Sequence, residues 1–255
     1  MSRLPRLAPL AAALVLAAWP MAGMAAETAT PTTVDGGRVV PPEPSAPEPE
    51  VDPQRFASPP DDAFGAYQRG LYITALNLAL PRADGGDAAA QTLVAEIYSR
   101  GLGVRRDEEK AAKWYQAAAE QNVPEAQFQY ALMLLDGRFV PKDEEQAFAL
   151  MEDAANAGNA MAQFNLAQMI VGRNTSADAL ARAVTYYEKA ARAGVPDAQY
   201  AMAQVYANGA GGRKADKAEA RKWLERAARH NFDTAQLDLG TWMVEGIGGS
   251  RDERG

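Results

Sequence analysis

One histidine and no cysteine among 255 residues leave little from which to build a nucleophile, a general base or a metal site. The absence of cysteine excludes disulfides, zinc–thiolate sites, iron–sulfur clusters and thiol nucleophiles. A lone histidine excludes multi-histidine sites such as His-Glu-x-x-His. His230 would need a positioned partner to act as a general base. It stands beside Asn231 at a predicted helix end, where a dipolar or positive side chain is ordinary. The acidic pairs Glu108-Glu109 and Glu144-Glu145 could offer carboxylates for acid–base hydrolysis. They recur in the first turn of predicted helices, however, where negative charge matches the helix dipole. Ala210-Gly211-Gly212 and Gly246-x-Gly248-Gly249 follow helices rather than strands, which fails the context of a phosphate loop. Asn174-Thr175-Ser176 fits a glycosylation acceptor, but so short a match arises by chance. No catalytic, cofactor-binding or metal-ligating set emerges, so the sequence predicts neither an enzyme nor a cofactor.

Charge narrows the partners. Thirty-three acidic against 26 basic side chains give a net charge of −7. Nonspecific nucleic-acid binding needs a basic surface, so a nucleic-acid partner is not expected.

The first 61 residues position nothing. Arg3 and Arg6 precede an uncharged Ala/Leu-rich run from Leu7 to Ala18, followed by Trp19-Pro20 and the small residues Ala22, Gly23, Ala25 and Ala26. That order of charge, apolar core and small residues is a signal peptide, with cleavage after Ala25 or Ala26. Retention as an anchor is the alternative, since residues 7–26 carry no charge and nearly reach a bilayer's thickness. Cleavage predicts a periplasmic or secreted protein with no stable membrane insertion. Residues 27–61 hold nine prolines and seven acidic against two basic side chains. A segment this poor in apolar residues cannot offset the entropy of ordering, and is expected to be a disordered, extended linker.

From about residue 62 the chain repeats. Ala-Gln occurs at 90–91, 126–127, 162–163, 198–199 and 235–236, in steps of 36, 36, 36 and 37. Eight residues before the later four stand Ala118-Ala119, Ala154-Ala155, Ala190-Ala191 and Ala227-Ala228. A further alanine column holds Ala111, Ala147, Ala183 and Ala220, with Trp114, Leu150, Tyr186 and Trp223 three residues on. A period between 20 and 50 residues marks a solenoid. Each period reads as two helices. The first carries apolar side chains four, five and eight residues after its alanine, such as Tyr130, Ala131 and Leu134. It stops at Gly101, Gly137, Gly209 or Gly246, residues suited to a left-handed cap. The second helix starts at Asp107, Asp143 or Asp216, which can accept from free amides. It stops at Asn122, Gly158, Gly194 or Asn231, a column limited to the two residues that tolerate left-handed backbone. The third period departs, with Arg173-Asn174 in place of the glycine and Ala179 in place of the aspartate. There Asn174 is expected to supply the left-handed turn and Asp178 the cap, one residue early.

These columns resemble the Sel1-like repeat family, a relative of the tetratricopeptide repeat. Its core reads roughly Ala-x-x-x-Leu-Gly-x-x-Tyr-x-x-Gly, then Ala-x-x-Trp-Tyr-x-x-Ala-Ala-x-x-Gly. The first complete unit offers Ala90, Val94, Ala95, Tyr98 and Gly101, then Ala111, Trp114, Tyr115, Ala118, Ala119 and Asn122. The resemblance covers 88–255, and 62–87 looks like a degenerate leading pair with Phe64, Tyr67, Gly70, Tyr72, Ala75 and Ala79 in family-like positions. It implies an all-α fold, a right-handed α/α superhelical solenoid of helix pairs. The predicted layout is a signal peptide over 1–26, a Pro-rich acidic linker over 27–61 and a repeat domain over 62–255. Repeats start near 88, 124, 160 and 196, and an incomplete one starts from 233. Asp252 stands 17 residues after Ala235, and Gly255 falls one position before the alanine column would recur. The expectation drawn from this is a fragment of a longer chain, because a solenoid normally closes with a capping element.

What such an array offers is a surface. In a right-handed stack the first helices line a concave face. Positions three and six residues after each leading alanine are spared by the core columns. They include Glu96, Gln129, Asn165, Gln168, Gln204 and Asp238. This polar, mostly uncharged set suits hydrogen bonding to an extended segment or a helix, and gives the expected partner-binding residues. Resemblance to exported members implies a scaffold or regulator for an envelope protein, such as a sensor or an assembly protein. It also brings two alternatives. One is a β-lactamase-like hydrolase, whose exported relatives carry a cysteine pair per repeat that is missing here. The other is a polysaccharide- or peptidoglycan-binding protein, which would need groove aromatics absent from these two positions.

Overall fold

The computed structural model describes residues 62–249. The predicted signal peptide, the linker and residues 250–255 lie outside them. Eleven α-helices and no strands fill the described residues. They are α1 (Asp62–Gln68), α2 (Tyr72–Asp84), α3 (Ala88–Arg100), α4 (Glu108–Ala119), α5 (Pro124–Asp136), α6 (Glu144–Asn156), α7 (Ala160–Arg173), α8 (Ala177–Arg192), α9 (Pro196–Asn208), α10 (Lys217–Ala228) and α11 (Asp233–Glu245). Each helix packs chiefly on the one before it and the one after it, the arrangement of a solenoid. From α3 onward, odd-numbered helices are the first and even-numbered helices the second of each pair.

The helix boundaries follow from the punctuating residues. Asp107, Asp143 and Asp216 each accept from backbone amides in the first turn of the following helix. Asp87 does the same for α3, taking the amides of Ala89 and Ala90 at 3.0 and 3.1 Å. Those amide bonds, together with the Arg82 guanidinium, hold the Asp87 carboxyl below the usual carboxylate range. Gly101, Gly137, Gly209 and Gly246 end first helices at positive φ, between 67° and 71°. Asn122, Gly158, Gly194 and Asn231 end second helices at φ of 61°, 99°, 94° and 56°. Asparagine is among the few residues that enter this region readily, which explains why the column alternates only between Asn and Gly.

The third pair solves the same problem differently. Asn174 is extended, with φ −156° and ψ 133°, rather than left-handed. The cap of α8 is Ser176, whose Oγ accepts from the Ala179 amide at 3.3 Å, and not Asp178. Asn174 Oδ1 takes the Ser176 amide at 2.8 Å. An Asx turn followed by a serine cap therefore replaces glycine and aspartate. Arg173 anchors the junction, with its guanidinium 4.2 Å from the Phe148 ring centre and 2.9 Å from the Glu144 carbonyl.

The alanine columns are the inner seam. Ala111, Ala147, Ala183 and Ala220 are fully buried, as are Ala118, Ala154, Ala190 and Ala227. Side chains this small let helix axes approach closely. Tyr115, Met151, Tyr186, Trp223 and Leu224 then fill the space beside the seam.

The glutamine following each leading alanine has a structural reason that the spacing alone does not reveal. Gln91, Gln127, Gln163 and Gln199 are buried. Gln91, Gln163 and Gln199 donate Nε2 to the carbonyls of Ala83, Ala155 and Ala191 at 3.0–3.2 Å, and Gln236, the exposed member of the column, donates to Ala228 at 3.1 Å. Those same carbonyls receive the amides of Gly86, Gly158, Gly194 and Asn231. One carbonyl thus ends a helix through its left-handed cap and ties it to the start of the next. This joint fixes the eight-residue spacing between the Ala-Ala and Ala-Gln columns. In the second repeat Gln127 reaches Asn122 Oδ1 instead, at 3.4 Å.

Candidate functional site

A helix in this stack has one side against its partners and one side left over. Take the leading alanine of each first helix (Ala90, Ala126, Ala162, Ala198, Ala235) as the origin. The residues at the origin and one, four and five further on face inward in α3, α5, α7 and α9, all of them buried. The opposite stripe of a 3.6-residue helix runs through the positions one before and three, six and ten after the alanine. The outermost two columns are exposed throughout. One holds Ala89, Glu125, Met161, Asp197 and Thr234; the other holds Arg100, Asp136, Gly172, Asn208 and Glu245.

The six residues expected from the sequence lie on this stripe. Gln168 and Gln204 are exposed, while Glu96, Gln129, Asn165 and Asp238 are half-buried. Five of them are already engaged, Gln204 through a side-chain hydrogen bond to the Tyr200 hydroxyl. Glu96 accepts from the Tyr115 hydroxyl at 2.8 Å and from Arg100 at 3.0 Å, joining α3 to α4. Asp238 accepts from the Tyr200 hydroxyl at 2.8 Å, joining α9 to α11. Gln129 donates to Glu125 at 2.8 Å and Asn165 to the Met161 carbonyl at 2.8 Å, both within their own helices.

The phenols record these contacts. Burial, with the Glu96 carboxylate and a smaller contribution from Glu125, pushes the Tyr115 hydroxyl well above the usual tyrosine range. Burial and then the Asp238 hydrogen bond raise Tyr200. Burial alone pushes Tyr187 up to about 12.

Reading only the columns at three and six missed the two most exposed columns, which a full helical wheel would have found. It also missed a neighbouring column two residues after the alanine, holding Phe128, Phe164 and Tyr200. Phe128 is buried, while Phe164 and Tyr200 are half-buried beside the stripe. Phe164 packs on Tyr187 with ring centres 5.8 Å apart, and Tyr200 on Phe232 at 5.4 Å. These rings serve the contacts between helices.

Among the described residues no group of three or more His, Asp or Glu side chains is arranged to hold a metal ion. His230 is exposed at the end of α10. A depression of about 410 Å³ on α11 is lined by Gln236, Leu237, Gly240, Thr241, Val244 and Glu245. All six come from one helix, so it is an open helix face rather than the enclosing cleft that small-molecule sites favour. What the arrangement can do chemically is present hydrogen-bonding and charged groups at regular intervals along several helices. No described helix is long and apolar enough to cross a membrane.

Residues 88–123, 124–159, 160–195 and 196–232 each match the Sel1 repeat. Among solved structures, the chain is similar to c5321, described as a protective antigen present in uropathogenic Escherichia coli strains displaying an SLR fold. The TM-score is 0.64 and the identity 31%, over 71% of this chain and 38% of that one. It is also similar to a Sel1 repeat protein from Oxalobacter formigenes, with a TM-score of 0.64 and 26% identity over 75% of this chain and 78% of that one. The chain therefore spans well under half the length of c5321. A comparison with curated proteins finds no match.

Proposed function

This chain belongs to the Sel1 repeat family, whose members generally mediate protein–protein interaction, and from that premise we propose that it is an exported scaffold or regulator that binds an envelope protein through the outward stripe of its first helices. The observation that carries this reading is the division of labour within α3, α5, α7 and α9. Their inner columns are consumed by the stack, while the columns one before and ten after the leading alanine are exposed on every one of them. Repeat arrays use such extended surfaces for binding. Gln168 and Gln204 are the central contacts in this reading, with Gln129 and Asn165 beside them. Glu96 and Asp238 act mainly by fixing their helices. Export rests on the signal-like order of residues 1–26, and a periplasmic or secreted location follows from it.

A non-enzymatic role fits this reading, because the Sel1 repeat family is generally a scaffold family. The test is affinity capture from envelope extract with three baits: the wild-type protein, a Gln168→Arg/Gln204→Arg variant and a control altered on a second helix, Lys189→Glu. The expected result is a protein recovered by wild type and control and lost from the double variant. Equal recovery by all three baits contradicts the reading. So does hydrolysis of a chromogenic β-lactam by the purified chain.

A further inference from the structure

The outward stripe is not electrically neutral. Across the columns one before and three, six and ten after the leading alanine it carries Glu96, Glu125, Asp136, Asp197, Asp238 and Glu245. The sole base in those columns is Arg100, and it is paired with Glu96 at 3.0 Å. The second helices α4, α6, α8 and α10 are balanced by contrast, with ten acidic and nine basic side chains. Charge is therefore partitioned between the two helix layers.

The middle of the stripe has a definite layout. On α7 it is uncharged, with Met161, Asn165 and Gln168, and Met161 is 45% exposed although it is apolar. To one side stands Glu125 on α5, and to the other Asp197 on α9. Glu125 accepts from the amides of Gln129 at 2.8 Å and Asn159 at 2.9 Å. Both donors are neutral amides, and no cation is paired with this carboxylate among the described residues. Asp197 has no ion-pair partner among the described residues, whereas Asp136 is paired with Arg138 at 2.5 Å. The Asn159–Glu125 and Tyr200–Asp238 bonds show that neighbouring first helices lie side by side. Packed helices are about 10 Å apart, so two steps separate Glu125 and Asp197 by about 20 Å. An extended chain covers that in about six residues.

Building on the docking surface proposed above, we propose that the partner segment seated on it is basic: an extended stretch of protein with two cationic side chains about six residues apart, to meet Glu125 and Asp197, and one apolar side chain midway, to cover Met161. Such a segment gains Coulomb attraction from a face whose own bases do not compete for it, and it removes the exposed methionine from water.

The test uses the purified chain and a labelled nine-residue synthetic peptide with lysine at its second and eighth positions and leucine at its fifth. Fluorescence anisotropy is expected to show binding. Replacing both lysines by glutamate, or the protein's Glu125→Lys/Asp197→Lys, should weaken it about tenfold or more, with a smaller loss for Glu125→Gln/Asp197→Asn. Raising salt from about 50 to 300 mM should weaken it several-fold. No binding of the lysine peptide at about millimolar concentration, equal binding of the glutamate peptide, or indifference to the charge reversals overturns the proposal. Circular dichroism of the variants checks that they are folded. A photocrosslinker at Gln168 separates the two claims. Trapping a neutral or acidic segment of a protein there sinks the basic-partner proposal and leaves the docking surface standing; trapping nothing sinks the docking surface itself.

Discussion

Gln163 is polar, buried and bonded to a carbonyl eight residues earlier, and so holds two repeats together at a single atom. Gln163→Leu keeps the volume and removes the donor. The Ala155 carbonyl retains the Gly158 amide, so the loss should sit near the lower end for a buried hydrogen bond, about 1 kcal/mol. A urea titration reads it as a lower midpoint at unchanged slope. Tyr115 makes a second test, with pH as the variable. Its phenol is raised in the folded chain by burial and by Glu96, so the unfolded chain gives up that proton first. Below the ordinary tyrosine value of about 10 the stabilisation is complete; above it, stability falls as pH rises. Tyr187, pushed up to about 12 by burial, adds to the same decline. Tyr115→Phe should therefore melt lower than wild type at pH 7, where the Glu96 bond is missing, and lose stability less steeply above pH 10. Melting curves between pH 7 and 11 check both signs. At this scale the glutamine column was visible in the sequence as a spacing, but its cause was not. The cause is a carbonyl on another helix, and backbone acceptors leave no mark on residue type.

Helix boundaries were legible because each rests on local chemistry. Asp107, Asp143 and Asp216 cap, and Gly or Asn stops, as backbone geometry requires. The third pair was misread because an Asx turn with a serine cap and a glycine stop with an aspartate cap satisfy the same free amides. Asn174 and Ser176 do there what two other residues do elsewhere. The docking of loops onto neighbouring helices was not legible, since it depends on residues distant in the chain. Gly211 is the sharpest case. Its φ is +56°, and a Cβ there would stand 2.5 Å from Val184 Cγ2 and 2.8 Å from the Leu180 carbonyl oxygen on α8. Gly211→Ala combines left-handed strain with a clash against backbone, and should cost about 2 kcal/mol or more. Differential scanning calorimetry should show a melting temperature lower by several degrees. Gly212→Ala, also left-handed at φ +79° but with open space around its Cβ, should cost less. Equal losses at the two sites would show that strain alone, and not the packing of this loop on α8, sets the penalty.

Across the whole array each helix rests chiefly on its neighbours in sequence, so the fold is a sum of similar joints and its period alone betrays it. The binding surface is less legible for the same reason. Period and burial dictate the inner columns, while nothing in the stack constrains the outer ones, and only a partner gives them meaning. Columns three and six after each alanine could be picked out as spared, yet Glu96 and Asp238 proved to be bonded to tyrosines of other helices. The outermost columns, including Glu125, Met161 and Asp197, came into view with the exposure pattern of the assembled helices. The central claim is that the stripe on the first helices, rather than the second-helix layer, receives a protein. The most direct test is photocrosslinking in cells, with a photoreactive residue placed singly at Gln168, Gln204 and the second-helix position Lys189, followed by mass spectrometry. The account predicts that one protein is trapped from Gln168 and Gln204 and not from Lys189. Trapping from Lys189 alone, or from none of the three, would contradict it.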